Sequence, residues 1–61
     1  MRHLTTKQEK FCINYLLSNN ATDAAIKAGY SKDTAVVIAS QNLTKLNIKN
    51  RLKELRENRV S

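Results

Sequence analysis

Asn20-Ala21-Thr22-Asp23-Ala24-Ala25-Ile26-Lys27-Ala28-Gly29-Tyr30-Ser31 is the stretch whose reading decides the fold. Ala21, Ala24, Ala25 and Ala28 recur at helical spacing and form a stripe of small side chains against which a second helix can pack closely. Asn20 is a good N-cap for a helix over 21–28, and Asp23 in its first turn complements the helix dipole. Gly29, the only glycine of the chain, follows the stripe at once. It reads as the left-handed residue that ends this helix and turns the backbone. Tyr30 then plugs the corner and Ser31 caps a third helix, predicted from Lys32 to about Leu43 with Asp33 in its first turn. Ala35, Ile38, Ala39, Asn42 and Leu43 fall on one face of that helix. Asp33, Val37, Ser40 and Thr44 fall on the opposite one, flanked by Val36 and Gln41.

Outward from this centre the remaining segments are also helical. Thr5 and Gln8 have the spacing of a capping box, so a first helix is predicted over about 5–18. Gln8, Phe11, Cys12, Tyr15 and Leu16 share its inner face. Ile13 and Leu17 lie elsewhere, and they serve either to pack against a later helix or to form an apolar surface for a partner. A break near Thr44-Lys45-Leu46-Asn47 precedes a fourth helix, predicted over about 47–59, and either Thr44 or Asn47 can cap it. Ile48, Leu52 and Leu55 form its apolar stripe. The charges on its other sides, Arg59 among them, read as a solvated face strengthened by pairs such as Lys53 with Glu57. The fold class is therefore all-α, a compact bundle of about four short helices containing a helix-turn-helix, and residues 1–61 form a single domain.

Composition agrees with this reading. The chain has 61 residues, no proline, and only three aromatic residues, Phe11, Tyr15 and Tyr30. A chain this short buries only roughly 60% of the surface it exposes when unfolded, so its core is thin. Eleven Lys and Arg against five Asp and Glu give a formal net charge of +6, which favours a polyanionic partner. No run approaches the roughly 20 apolar residues that cross a bilayer, so no membrane partner is expected. Cys12 is the sole cysteine. It excludes an internal disulfide or a Cys-based zinc site, fits a reducing cytoplasm, and reads as a small buried apolar residue. Enzyme chemistry has no support: His3 is the only histidine, Cys12 has no histidine held near it, and no glycine-rich phosphate loop occurs. Glu54 and Glu57 read as surface helix residues rather than a metal site. No catalytic residue, cofactor or metal is expected.

A helix-turn-helix requires a small residue shortly before the turn glycine, apolar residues flanking the turn, and a second helix that is apolar only on its inner side. Ala24, Ala25, Ala28, Gly29, Tyr30, Ala35 and Ile38 meet these requirements in one register. In the groove-entry geometry Ser31 and Lys32 meet a phosphate or a base edge, Val36 or Val37 touches a thymine methyl, and Ser40 and Gln41 hydrogen-bond further along. Asp33, the seventh residue of this reading surface, repels phosphate unless it accepts from cytosine, and its expected role is to support the helix start. Lys7, Lys10, Lys27 and Lys45 are candidates for additional phosphate contacts.

The succession Leu4-Thr5-Thr6-Lys7-Gln8-Glu9-Lys10-Phe11, Asn20 to Ser31 as quoted above, Thr34-Ala35 and Ala39-Ser40 resembles the N-terminal domain of terminase small subunits from tailed phages and related mobile elements. The resemblance implies a protein that binds double-stranded DNA at the viral packaging site, in the cytoplasm of a bacterial host, and hands it to the large terminase subunit, which holds the ATPase and nuclease. It also implies a central domain that builds a homo-oligomeric ring and a tail that engages the motor, both outside these 61 residues. The chain thus reads as the N-terminal part of a longer protein. Where the family often carries Asn-Pro, this chain has Lys45-Leu46. Two other functions fit the same pattern: a helix-turn-helix transcriptional regulator acting on paired half-sites, and a helical protein-interaction module that uses Ile13, Leu17, Val36 and Val37.

Overall fold

Thr5 opens the first helix through a reciprocal pair of hydrogen bonds. The Gln8 amide donates to Thr5 Oγ1 at 3.1 Å, and the Thr5 amide donates to Gln8 Oε1 at 3.1 Å, the capping box expected from the sequence. The computed structural model describes residues 4–59, without the side chains of residues 58 and 59. His3 and the Arg59 side chain, both of which entered the sequence reading, lie outside the described residues. Four helices follow in order: α1 (Thr6–Ser18), α2 (Ala21–Ala28), α3 (Ala35–Thr44) and α4 (Leu46–Arg59).

The first corner is made by Asn19, in the left-handed region at φ 57°, where a short polar side chain is tolerated. Asn20 then caps α2, its side chain accepting from the Asp23 amide at 3.0 Å. The second corner is made by Gly29 at φ 109°. The Tyr30 amide donates to the Ala25 carbonyl at 3.1 Å and the Gly29 amide to the Ile26 carbonyl at 3.0 Å, the paired bonds of a Schellman motif. Gly29 is required for its dihedral angle rather than for space. A Cβ placed there would meet only Lys7 Cε, at an ordinary 3.6 Å.

The core draws on every helix: Phe11 and Cys12 from α1, Ala24, Ala25 and Ala28 from α2, Ala35 and Ala39 from α3, Ile48 and Leu52 from α4. Five of these nine are alanines, so the bundle gains its contact from close helix approach rather than from bulk. Phe11, fully buried and offset-stacked on Tyr15 with ring centroids 6.0 Å apart, is the largest single apolar contribution, on the order of 3 kcal/mol. Leu4, Tyr15, Leu16, Tyr30, Leu43 and Leu55 close the core at its edges.

Four helix boundaries differ from the sequence reading, α1 starting at Thr6 and α3 ending at Thr44 by one residue each, and the starts of α3 and α4 for identifiable reasons. α3 begins at Ala35 and not at Lys32. The Asp33 amide donates to Ser31 Oγ at 3.3 Å and the Thr34 amide to the Ser31 carbonyl at 3.1 Å, which closes a single tight turn over 31–34 ahead of the helix. Serine offers the backbone this local alternative wherever it can also cap. Asp33 consequently lies in the turn and not in the first turn of α3. α4 begins at Leu46, one residue early. Thr44 spends its hydroxyl on the Gln41 carbonyl at 2.7 Å. Asn47 already lies inside the helix, accepting from the Ile48 amide at 3.0 Å. The junction is the extended residue Lys45, φ −78° and ψ 133°, whose carbonyl accepts the Lys49 amide at 3.0 Å.

α4 is tied to α1 by charge. Arg51 donates through Nε and Nη2 to the Glu9 carboxylate at 2.6–3.0 Å and through Nη1 to Glu54 at 3.0 Å. The Lys53–Glu57 pair expected from the sequence is not among the ion pairs seen in the described residues, which include Lys27 with Asp23 and Arg51 with Glu9 and Glu54. Among the described residues α4 covers Ile13 and Leu17 only in part, through Leu55. They are 43% and 71% exposed and edge an open groove with Leu16 and Leu55. Among the described residues no helix is long and apolar enough to cross a membrane.

Candidate nucleic-acid interface

α2, the Gly29 corner, the turn 31–34 and α3 together form the helix-turn-helix. α3 is anchored on its inner side by Ala35, Ala39 and Asn42, all buried, with Ile38 and Leu43 half-buried. Its other side carries Val36 and Val37, 63% and 56% exposed, with Ser40 and Gln41, also exposed. The periodicity that fixes the inner face therefore leaves the outer one open. Ser31, Lys32 and Asp33 are exposed in the turn that leads into this face. All seven residues expected on the reading surface are accessible, but they divide between turn and helix. Lys32 and Asp33 project from the turn, one step before the helix proper.

The four lysines proposed as phosphate contacts occupy different settings. Lys7, in the first turn of α1, reaches over the corner: its Nζ lies 5.4 Å from the centroid of the Tyr30 ring. Lys27 is paired with Asp23 one helical turn earlier at 3.3 Å, an exposed i,i+4 pair worth only a few tenths of a kcal/mol. Lys10 is exposed on α1, and Lys45 is exposed at the junction of α3 and α4. Tyr30 itself is half-buried, and its backbone is fixed by the Schellman bonds, so the ring under Lys7 is set by Gly29.

Burial pushes the Cys12 thiol up to about 11, with Glu9 adding to the rise and Arg51 opposing it, so the sulfur stays protonated at neutral pH. Hydrogen bonds to Glu9 and then to Glu54 raise the Arg51 pKa above its already high ordinary value. Sequence reasoning missed this Arg51–Glu9 tie. The partners are 42 residues apart, and Arg51 carries no local mark that distinguishes it from the other basic residues of α4. The cation over Tyr30 was missed for the same reason.

The family model for the terminase small subunit matches residues 4–61. The chain belongs to the terminase small subunit family. Its relatives include the terminase small subunit of Bacillus phage SF6, 45% identical over 62 residues, or 93% of this chain and 43% of that protein. The terminase small subunit of Bacillus phage SPP1 is 45% identical over 51 residues, covering 82% and 35% of the two chains. The PBSX phage terminase small subunit of Bacillus subtilis (strain 168) is 38% identical over 58 residues, covering 95% and 22%. This terminase small-subunit chain thus spans less than half the length of the relatives it matches. No solved structure matches it significantly.

Proposed function

We propose that these 61 residues are a helix-turn-helix DNA-binding unit of a terminase small subunit. In this reading the unit recognises the viral packaging site with the turn 31–34 and the outer face of α3, inside the bacterial host. The observation that carries it is the accessible outer face of α3, presented after the Gly29 corner and the turn 31–34, with no helix of the described residues laid over Val36, Val37, Ser40 or Gln41. Family membership and the +6 charge support the same reading. α3 enters the major groove, Val36 and Val37 present methyl groups to thymine, and Ser40 and Gln41 offer hydrogen bonds to base edges. Lys32 neutralises a phosphate beside the groove, and the turn amides together with the α3 N-terminus favour the same anion. Asp33 faces outward in the turn and disfavours a phosphate placed directly against it, which narrows the register on the duplex.

The protein's part in packaging would then be to deliver the recognised site to the large terminase subunit. Ring assembly and the large-subunit contact would fall to the portion of the relatives' length that this chain does not span. Chemistry on DNA would belong to the large subunit, and this unit would supply position alone.

The reading is tested by the salt dependence of binding to short duplexes with and without the packaging-site sequence. Affinity is expected to fall with salt at a log-log slope of roughly 0.9 per phosphate neutralised. Lys32→Ala is expected to lower that slope by about one such increment while leaving the preference between duplexes intact. An unchanged slope and isotherm would remove Lys32 from the interface.

A further inference from the structure

We infer that Tyr30 is a positioning residue for DNA binding: its ring holds the Lys7 ammonium over the helix-turn-helix corner, ready to meet a backbone phosphate. The inference rests on the DNA-binding reading given above and adds a residue outside the recognition face. Three observations carry it. Lys7 Nζ stands 5.4 Å from the Tyr30 centroid. The stem of the same lysine crosses the corner, with Cε 3.6 Å from where a Gly29 Cβ would be. Tyr30 has little freedom of its own, because its amide is bonded to the Ala25 carbonyl at 3.1 Å and its side chain packs against the core.

A lysine side chain is a flexible stem that loses rotamer freedom when its charge is pinned to a phosphate. A ring that already holds the stem reduces that loss on binding, which is the general advantage of preorganisation. The ring occupies only one side of the ammonium. Lysine has three N–H donors, so the others remain directed to solvent and to an arriving phosphate oxygen. The two contacts are compatible because a cation–π interaction is electrostatic attraction to the ring face and uses no lone pair. Tyr30 immediately precedes the turn 31–34, which places this cation at the entrance to the proposed reading surface. Lys27, by comparison, has an acidic partner in Asp23 and no ring. The sequence alone marks Tyr30 only as a corner plug.

The experiment is a double-mutant cycle on duplex DNA binding at fixed low salt with Lys7→Gln, Tyr30→Leu and the double variant, alongside Tyr30→Phe. Lys7→Gln is expected to reduce the salt slope by roughly 0.9. Tyr30→Leu is expected to weaken binding roughly two- to fivefold in the presence of Lys7 and to have no effect once Lys7 is Gln, whereas Tyr30→Phe keeps the ring and binds as the parent does. In the free protein the Lys7 εCH2 protons should show an upfield ring-current shift, a readout that remains informative even where Tyr30→Leu fails to fold. Equal losses from Tyr30→Leu in both backgrounds would make Tyr30 a purely structural residue and overturn the inference. So would Lys7 εCH2 protons at their random-coil position. Either result with DNA-induced shifts still present on α3 leaves the DNA-binding reading intact, whereas the absence of all DNA-induced shifts removes that reading itself.

Discussion

Gly29 carries a φ of 109° and a ψ of 7°, a conformation that costs an L-residue with a Cβ about 1 to 2 kcal/mol. The nearest atom to an added Cβ is at ordinary contact distance, so the penalty is conformational and not steric. Gly29→Ala should therefore lower the unfolding free energy by about that amount in urea melts, and Gly29→Asn by less, because asparagine tolerates the left-handed region. Equal stability of all three proteins would show that the corner does not need its left-handed residue. Cys12 is the buried titratable group of the core. Its folded thiol titrates at about 11 against an ordinary 9.0, so the folded state holds the proton more tightly than the unfolded one. That contribution is present in full below about pH 9 and is lost as pH rises through about 11. Cys12→Ala should flatten the fall in stability across this window, measured as unfolding free energy against pH. A parallel fall in both proteins would contradict the burial argument.

Elements differ in how far local sequence determines them. The start of α1 and both ends of α2 were legible, because each is set by one side chain bonding within three residues or by one glycine: Thr5 with Gln8, Asn20 with Asp23, and Gly29. The start of α3 was not, since Ser31 has two local hydrogen-bonding options and forms the tight turn rather than a cap. The inner face of α3 was read correctly from periodicity, and with it the accessibility of Val36, Val37, Ser40 and Gln41. The sequence leaves Ile13 and Leu17 open between two readings, because a pattern on α1 does not say how much of α1 a distant α4 will cover. The tie that places α4, Arg51 to Glu9, is likewise invisible at short range. Its geometry is bidentate and its Arg51 side chain is only 18% exposed, so it is stronger than an ordinary surface pair. Arg51→Gln should cost about 1 kcal/mol, more at low salt than at high. Amide exchange should speed up most in α4, and no change in α4 protection would show that apolar packing alone holds that helix.

At the scale of the whole molecule, 36 × 23 × 18 Å along its principal axes, a thin alanine-rich core holds one helix face open beside a turn, in a chain of net charge +6. Helix α3 supplies that face and α2 packs behind it, while Arg51 of α4 is tied to Glu9 of α1. The outer face of α3 is where duplex DNA is expected to bind. The most direct measurement is a titration of the labelled protein with packaging-site duplex at two salt concentrations, following every backbone amide. The predicted result is a set of perturbations centred on residues 31–41, extending to Lys7 and weakening at the higher salt. Perturbations confined to α4, or to Ile13 and Leu17 on α1, with residues 31–41 unmoved, would contradict it.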